Sequence, residues 1–324
     1  MTTRRMTATR AVTVDSPRTS LPTCCTLCPR RCGVNRAAGE RGVCGADDCL
    51  VIARAALHAW EEPCISVGAG SGAVFFSGCP LRCRYCQNCD ISVGMRGRQI
   101  SVERLTDIFF ELADQGAANL NLVTATQYTP FVIDAVAVAR ARGLALPVIW
   151  NTSGYECAET IRQLEGTVDV YLDDFKYPPA AVSDAAARYS HAPDYFEVAR
   201  GALDQMLISA GEPRFDDDGR LVGGVVVRHL LLPGRLEDSK RVMRFLWQRY
   251  GTRVLYSLMS QYTPVGTFPD MPELDHTVEP GAYEELLDYL DAMGLEDYFW
   301  QDGDAAAESF IPPFDETGVL APPQ

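Results

Sequence analysis

No run of 18 or more uninterrupted apolar residues occurs in the 324-residue chain, so the sequence offers no segment to span a bilayer. Its first 14 residues, MTTRRMTATRAVTV, contain no acid but also no apolar core and no small-residue cleavage pattern. That argues against a secretion signal, and we expect a disordered tail over 1–23. Basic charge is in short supply: 29 Lys and Arg stand against 43 Asp and Glu, for a net charge of −14. A phosphate backbone would be repelled on average, which makes nucleic acid a poor partner. Internal repeats and low-complexity blocks are absent as well, leaving no repeat architecture to consider.

Cysteine, in contrast, is abundant. Eleven of the 12 cysteines fall between Cys24 and Cys89, and Cys157 stands alone. The density is below that of a small disulfide scaffold, and the clustering at gaps of two and three residues suggests metal ligation in a reducing, cytoplasmic compartment. The alternative is a set of buried, inert thiols.

From residue 73 onward, short apolar runs alternate with amphipathic segments. AVFFS (73–77), NLNLVTAT (119–126), LPVIWNT (146–152), VDVYLDDF (168–175), VVVRHLLL (225–232) and RVLYSLMS (253–260) read as strands. The segments between them carry apolar residues at helical spacing and often end at glycine. Alternation of this kind predicts an α/β fold with a parallel sheet buried on both faces. Six such units fit an open or partial barrel better than a closed eight-fold one, and either architecture places chemistry at the C-terminal ends of the strands. The expected organisation is a cysteine-rich module over 24–66, the main domain over 67–300 and a loose tail over 301–324. EPRFDDDGRLVGG reads as a hairpin before the fifth strand, and PGAYEELLDYLDAMGL as a late surface helix.

SGCPLRCRYCQNC (77–89) follows the first strand and carries Cys79, Cys83, Cys86 and Cys89. A closed four-cysteine site fits this spacing poorly. Ferredoxin-type runs read C-x2-C-x2-C-x3-C before proline, whereas here the order is reversed and Asp90 follows. Zinc sites pair two C-x2-C knuckles across a longer spacer. Taken alone, Cys79, Cys83 and Cys86 form C-x3-C-x2-C with Tyr85 before the last cysteine, and this resembles the signature of the radical S-adenosylmethionine (SAM) superfamily. CTLCPRRCGVNRAAGERGVCGA, EEPCISVGAGSGAVFFSGCPLRCRYCQNCDIS, LNLVTATQYTP, NTSGYE, YLDDFKY, RHLLLPG and MSQYTP narrow the resemblance to proteins related to pyruvate formate-lyase activating enzymes, most closely the PflX-like group.

The resemblance implies a partial (β/α)6 radical SAM barrel. It implies a [4Fe-4S] cluster on Cys79, Cys83 and Cys86 whose fourth iron takes the amino and carboxylate groups of SAM, with Tyr85 against the adenine. Where activating enzymes carry a G-G-E-P-type segment, this chain reads Thr124-Ala125-Thr126-Gln127-Tyr128-Thr129-Pro130, and the Thr126 hydroxyl or backbone carbonyls stand in. NTSG resembles the family's D-T-N-G stretch and places Asn151 and Thr152 near the SAM carboxylate or a cation. LDDFK resembles L-D-L-K and gives Asp174 and Lys176 as strand-end and catalytic candidates. His229 matches a ribose-proximal position, against the plainer reading of a satisfied core histidine.

Cys25, Cys28, Cys32 and Cys44 form a second candidate set, for an auxiliary iron–sulfur cluster or a structural zinc, with Cys24 and Cys49 as competitors. For Cys64, Cys157, His58, Glu61 and Glu62, packing or solvated roles are expected. The functional expectation is reductive cleavage of SAM followed by hydrogen abstraction. The substrate is either a glycyl-radical enzyme partner or a small molecule or peptide, and the electron donor is of the flavodoxin or ferredoxin type. A non-catalytic iron–sulfur or zinc binding protein is the remaining alternative.

Overall fold

The computed structural model describes residues 20–301 and 311–321. Most of the expected N-terminal tail, residues 1–19, lies outside the described residues, as do 302–310 and 322–324. In chain order the elements begin with β1 (Leu50–His58), β2 (Ser71–Phe76), α1 (Cys89–Ser92), β3 (Arg98–Ile100), α2 (Val102–Asp114), β4 (Leu120–Val123) and α3 (Thr129–Ala141). They continue with β5 (Val148–Thr152), α4 (Ala158–Gln163), β6 (Val170–Asp174), α5 (Ala185–Ser190), α6 (Tyr195–Ala210) and β7 (Arg214–Phe215). The last are β8 (Leu221–Leu230), α7 (Leu236–Tyr250), β9 (Leu255–Met259), α8 (Pro280–Ala292) and β10 (Phe299–Trp300).

Strands β2, β4, β5, β6, β8 and β9 pair in parallel in that order, and short β10 adds to β9. On the other flank β1 and β3 continue the sheet antiparallel. Spatial order follows chain order through the parallel strands, and the sheet ends at β3 and β10 without closing. This is the open six-unit α/β barrel that the strand–helix alternation predicted. The reason is visible in the strands themselves: every residue of SGAVFF, LNLV and VIWNT is buried, as a sheet covered on both faces requires.

Helix boundaries follow local chemistry. Ser101 caps α2, its hydroxyl accepting from the Arg104 N–H, and Leu105, Ile108, Phe109 and Leu112 form its buried stripe. Proline opens α3 and α8, and Gly211 and Gly251 end α6 and α7. No helix among the described residues is long and apolar enough to cross a membrane.

Two expectations are corrected. The module drawn at 24–66 is not separate, because it includes β1, a strand of the main sheet. The tail drawn at 301–324 is not loose over 311–321. Phe314 and Val319 are buried, Ala55 N–H donates to Thr317 O, Glu316 N–H donates to Ala53 O, and the Arg104 guanidinium donates to Val319 O. Burial of these apolar side chains holds the segment on β1 and α2 despite its prolines.

Candidate active site

The chain leaves β2 through Ser77 and Gly78. Gly78 has φ +85°, and a Cβ there would sit 2.6 Å from Cys44 O, so glycine is needed for both backbone conformation and close approach. The Gln127 side-chain amide holds this corner, donating to Ser77 O (3.0 Å), Gly78 O (3.0 Å) and Thr124 O (2.8 Å). It thereby ties the ends of β2 and β4 together. The loop then turns tightly, with Cys86 N–H donating to Cys83 O and Cys89 N–H to Cys86 O.

Cys79, Cys83 and Cys86 line one cavity of about 200 Å³ at the C-terminal ends of the strands. Ser190 Oγ donates to Cys83 Sγ (3.0 Å) and Ser92 Oγ to Cys86 Sγ (3.4 Å). Burial, then the neighbouring Cys83, pushes the Cys79 thiol up to about 12, and the same causes push Cys86 to about 11. With both thiols raised this far, ligation is what would release their protons. Among the described residues the one trio of ligand atoms within 4.8 Å of each other is Asp47, Asp48 and Cys49. The three cavity thiols thus share a wall without converging as a single zinc ion, with Zn–S near 2.3 Å, would draw them. Three thiols spread over one cavity wall, each served by a hydroxyl or by backbone N–H groups, suit a multi-iron cluster with one corner left free. Cys89 opens α1, is exposed and does not line the cavity.

The opposite wall comes from strand ends: Thr124 after β4, Asn151 and Thr152 of β5, Asp174 of β6 with Lys176 beyond it, and Arg228 of β8. Asp174 is the centre of a part-buried ion network. Lys176 Nζ lies 2.6 Å from Oδ2 and Arg228 Nε 2.8 Å from Oδ1. Arg228 continues to Asn151 Oδ1 (2.8 Å) and Glu61 Oε2 (3.1 Å). Burial alone would raise the Asp174 carboxyl, but Arg228 and Lys176 outweigh it and hold it below the usual range. Burial likewise disfavours the Lys176 ammonium, yet Asp174 prevails and the amine stays charged. Tyr85 lines the cavity with its hydroxyl 2.9 Å from Tyr177 Oη.

Two sequence candidates are not brought to the cavity. His229 lies on the other face of β8, because side chains alternate along a strand and Arg228 and Leu230 take the inward positions. Both its ring nitrogens are engaged, with Phe175 O (2.7 Å) and Ser239 Oγ (2.8 Å). Burial lowers it to about 4, so the neutral ring donates from Nδ1 to the carbonyl and accepts at Nε2. It is a core histidine. Thr126 is buried, and its hydroxyl donates to Glu156 Oε1 (2.6 Å) instead of meeting the cavity. Thr124 takes that place, in the left-handed region at φ +59°.

Sequence reasoning missed three residues that organise the site. Glu156 accepts at Oε1 from the hydroxyls of Thr126 and Thr152 (both 2.6 Å) and from Trp150 Nε1 (3.3 Å), knitting β4 to β5 from beneath. Gln127 clamps the cysteine loop, and Arg228 crosses the barrel. Only Arg228 carried a signal, as a charge inside the apolar run VVVRHLLL. A second cavity of about 200 Å³ lies alongside, sharing Val123, Asn151, Arg228 and Met259 and adding Trp60, Glu62 and Trp300.

The N-terminal cysteines sit directly against the cysteine loop. Cys79 N–H donates to Cys44 O (3.3 Å). The Arg30 guanidinium donates to Pro80 O (2.9 Å), Leu81 O (3.1 Å) and Ser190 O (2.9 Å), and Arg82 donates to Val43 O (2.7 Å).

Comparison with known proteins bears on this region. Residues 67–177, which span the cysteine loop through Lys176, match the family model described as a 4Fe-4S single cluster domain. The uncharacterized protein MJ0674 of Methanocaldococcus jannaschii is 27% identical over 280 residues, 84% of this chain and 75% of that one. Solved structures give more distant likenesses. Streptococcus suis SuiB bound to precursor peptide SuiA is 11% identical at TM-score 0.46, covering 71% of this chain and 48% of that one. A radical SAM methyltransferase from Sphaerobacter thermophilus is 15% identical at TM-score 0.48, covering 71% and 65%. Native anSMEcpe with bound AdoMet is 10% identical at TM-score 0.46, covering 69% and 61%. The chain spans from about half to just under two thirds of the length of these three structures.

Proposed function

We propose that this protein is a radical SAM enzyme. The observation that carries the reading is the cavity itself: Cys79, Cys83 and Cys86 on one wall face Asn151, Thr152, Asp174 and Lys176 on the other. The match of residues 67–177 to a single-cluster 4Fe-4S domain supports the same reading. Cys79, Cys83 and Cys86 would hold a [4Fe-4S] cluster that, once reduced by a ferredoxin- or flavodoxin-class donor, would supply the electron that splits SAM into methionine and a 5′-deoxyadenosyl radical.

The residues of this chain bind and orient. Ser190 and Ser92 hold the thiol rotamers of Cys83 and Cys86. Lys176 presents a fixed ammonium for the SAM carboxylate, and Asp174 keeps that ammonium charged and in place. Asn151 and Thr152 offer polar contacts at the end of β5, and Tyr85 offers an aromatic wall.

The resemblance to activating enzymes makes a glycyl-radical enzyme one candidate substrate. The adjoining cavity favours a small molecule or a peptide side chain, because it opens beside the cluster wall and carries its own polar and aromatic lining. The test is anaerobic turnover with dithionite and SAM. We expect the electron paramagnetic resonance signal of the reduced cluster to change on adding SAM, and 5′-deoxyadenosine to form. A signal indifferent to SAM would refute the reading. Deuterium passing into 5′-deoxyadenosine from a labelled small molecule or peptide, with no glycyl-radical enzyme present, separates the two substrate classes.

A further inference from the structure

We propose that Cys25, Cys28, Cys32 and Cys44 hold a second iron–sulfur cluster, ligated at all four corners, with the Arg36 guanidinium as its buried counter-charge. Backbone hydrogen bonds fold the segments that carry these thiols against one another. Cys25 N–H donates to Val34 O (2.9 Å), Gly33 N–H to Cys25 O (3.0 Å) and Arg31 N–H to Cys28 O (3.0 Å). Gly42 N–H then donates to Ala46 O (3.0 Å), folding Cys44 back toward the first three. A Cβ at Gly42 would lie 3.2 Å from Cys32 Sγ and 3.5 Å from Cys44 Sγ, so these two thiols flank the same spot. Cys44 is within electrostatic reach of Cys25, Cys28 and Cys32. Cys25, Cys28 and Cys44 are buried and all four are free thiols.

The competing cysteines are placed elsewhere. Cys24 is exposed, and Cys49 Sγ turns to Asp48 Oδ1 (3.4 Å). The thiols do not form a trio within 4.8 Å, so a single zinc ion fits their spacing less well than a cluster.

Arg36 is the second, independent observation. It is fully buried. Its Nε donates to Asp47 O and its Nη1 to Gln127 O (3.2 Å), while Nη2 has no hydrogen-bond partner. A guanidinium buried with no carboxylate beside it is costly unless another negative charge compensates it. Cys44 lies within electrostatic reach of Arg36. Four thiolates around a cluster carry the net negative charge that this cation lacks. With every corner taken by protein, this cluster would bind no SAM. Its position behind Cys79, joined through Cys44 O, makes it a brace for the loop that carries the first site.

The inference stands apart from the proposed function, and the experiment separates them. Iron, acid-labile sulfide and zinc are counted per chain after anaerobic reconstitution of the parent protein and of a Cys79→Ala/Cys83→Ala/Cys86→Ala variant. We expect about eight irons in the parent and about four in the variant, as two four-iron clusters require. The variant's reduced signal should be indifferent to SAM. About four irons in the parent, or one zinc per chain in either protein, overturns the proposal whether or not the variant folds. Within the triple variant, Arg36→Met should move the midpoint potential of the remaining cluster to more negative values, because a cation favours the reduced state. Arg36→Lys should hold it near the parent value, and a potential unmoved by Arg36→Met removes Arg36 from the account.

Discussion

At the scale of single residues, Asp174 is where the site's charges balance. It faces two cations at once, and neither has another carboxylate as close. Asp174→Ala should destabilise the fold by about 3 kcal/mol in denaturant titration, since it leaves the part-buried Lys176 without its carboxylate and Arg228 with Glu61 alone. Because its folded-state carboxyl is held below the usual range, the stability it contributes is present above the ordinary carboxylate pKa. That contribution is lost as pH falls through the depressed value.

Glu156 has the opposite sign. Burial raises its carboxyl, only partly offset by the hydroxyls of Thr126 and Thr152 and by Trp150, and Oε2 has no partner. Its ionisation therefore costs stability as pH climbs above the ordinary carboxylate value. Glu156→Gln, which keeps the Oε1 acceptor, should flatten the pH dependence of the melting temperature on the alkaline side. Glu156→Ala should cost about 1–3 kcal/mol at any pH by orphaning the hydroxyls. A parent protein whose stability does not decline across that range would contradict the assignment.

At the scale of elements, the sequence revealed which segments carry the site better than which face of each segment meets it. Strand identities and the placement of chemistry at their C-terminal ends follow from apolar runs and strand–helix alternation, and the cysteine loop is legible from its spacing. His229 and Thr126 show where this stops. A shift of one or two residues along a strand end exchanges cavity for core, and the deciding partners, Ser239, Phe175 and Glu156, lie far away in the chain or on other elements. Nor does any local pattern announce that Arg30 will bind carbonyls at Pro80, Leu81 and Ser190. Arg30→Ala removes those bonds, each worth about 1–3 kcal/mol to a charged donor. Iron should leave the reconstituted protein several-fold faster under a chelator challenge, with the helical circular dichroism signal retained. Equal release rates would show that Arg30 does not hold the loop.

At the scale of the whole molecule, the chain is closed by contacts that composition hides. The N-terminal cysteine segment packs on the cysteine loop and on α4, and the C-terminal segment on β1. Deleting residues 311–324 exposes the pockets of Phe314 and Val319, each worth about 1.5–3 kcal/mol on burial. It also unpairs the edge of β1 at Ala53 and Ala55. The truncated protein should lose at least about 3 kcal/mol in chemical unfolding, and an unchanged midpoint would show the segment to be dispensable. Proline content suggested a loose end, but burial of two side chains and the reach of Arg104 decided otherwise.

The central claim is that the four cysteines of SGCPLRCRYCQNC divide into three that ligate and one that does not. The most direct measurement is the rate of 5′-deoxyadenosine formation from SAM in anaerobic protein carrying Cys89→Ala, beside the Cys79→Ala/Cys83→Ala/Cys86→Ala variant. The account predicts a near-parental rate for Cys89→Ala and none for the triple variant. A parental rate in the triple variant, or loss of both cluster and product with Cys89→Ala, would contradict it.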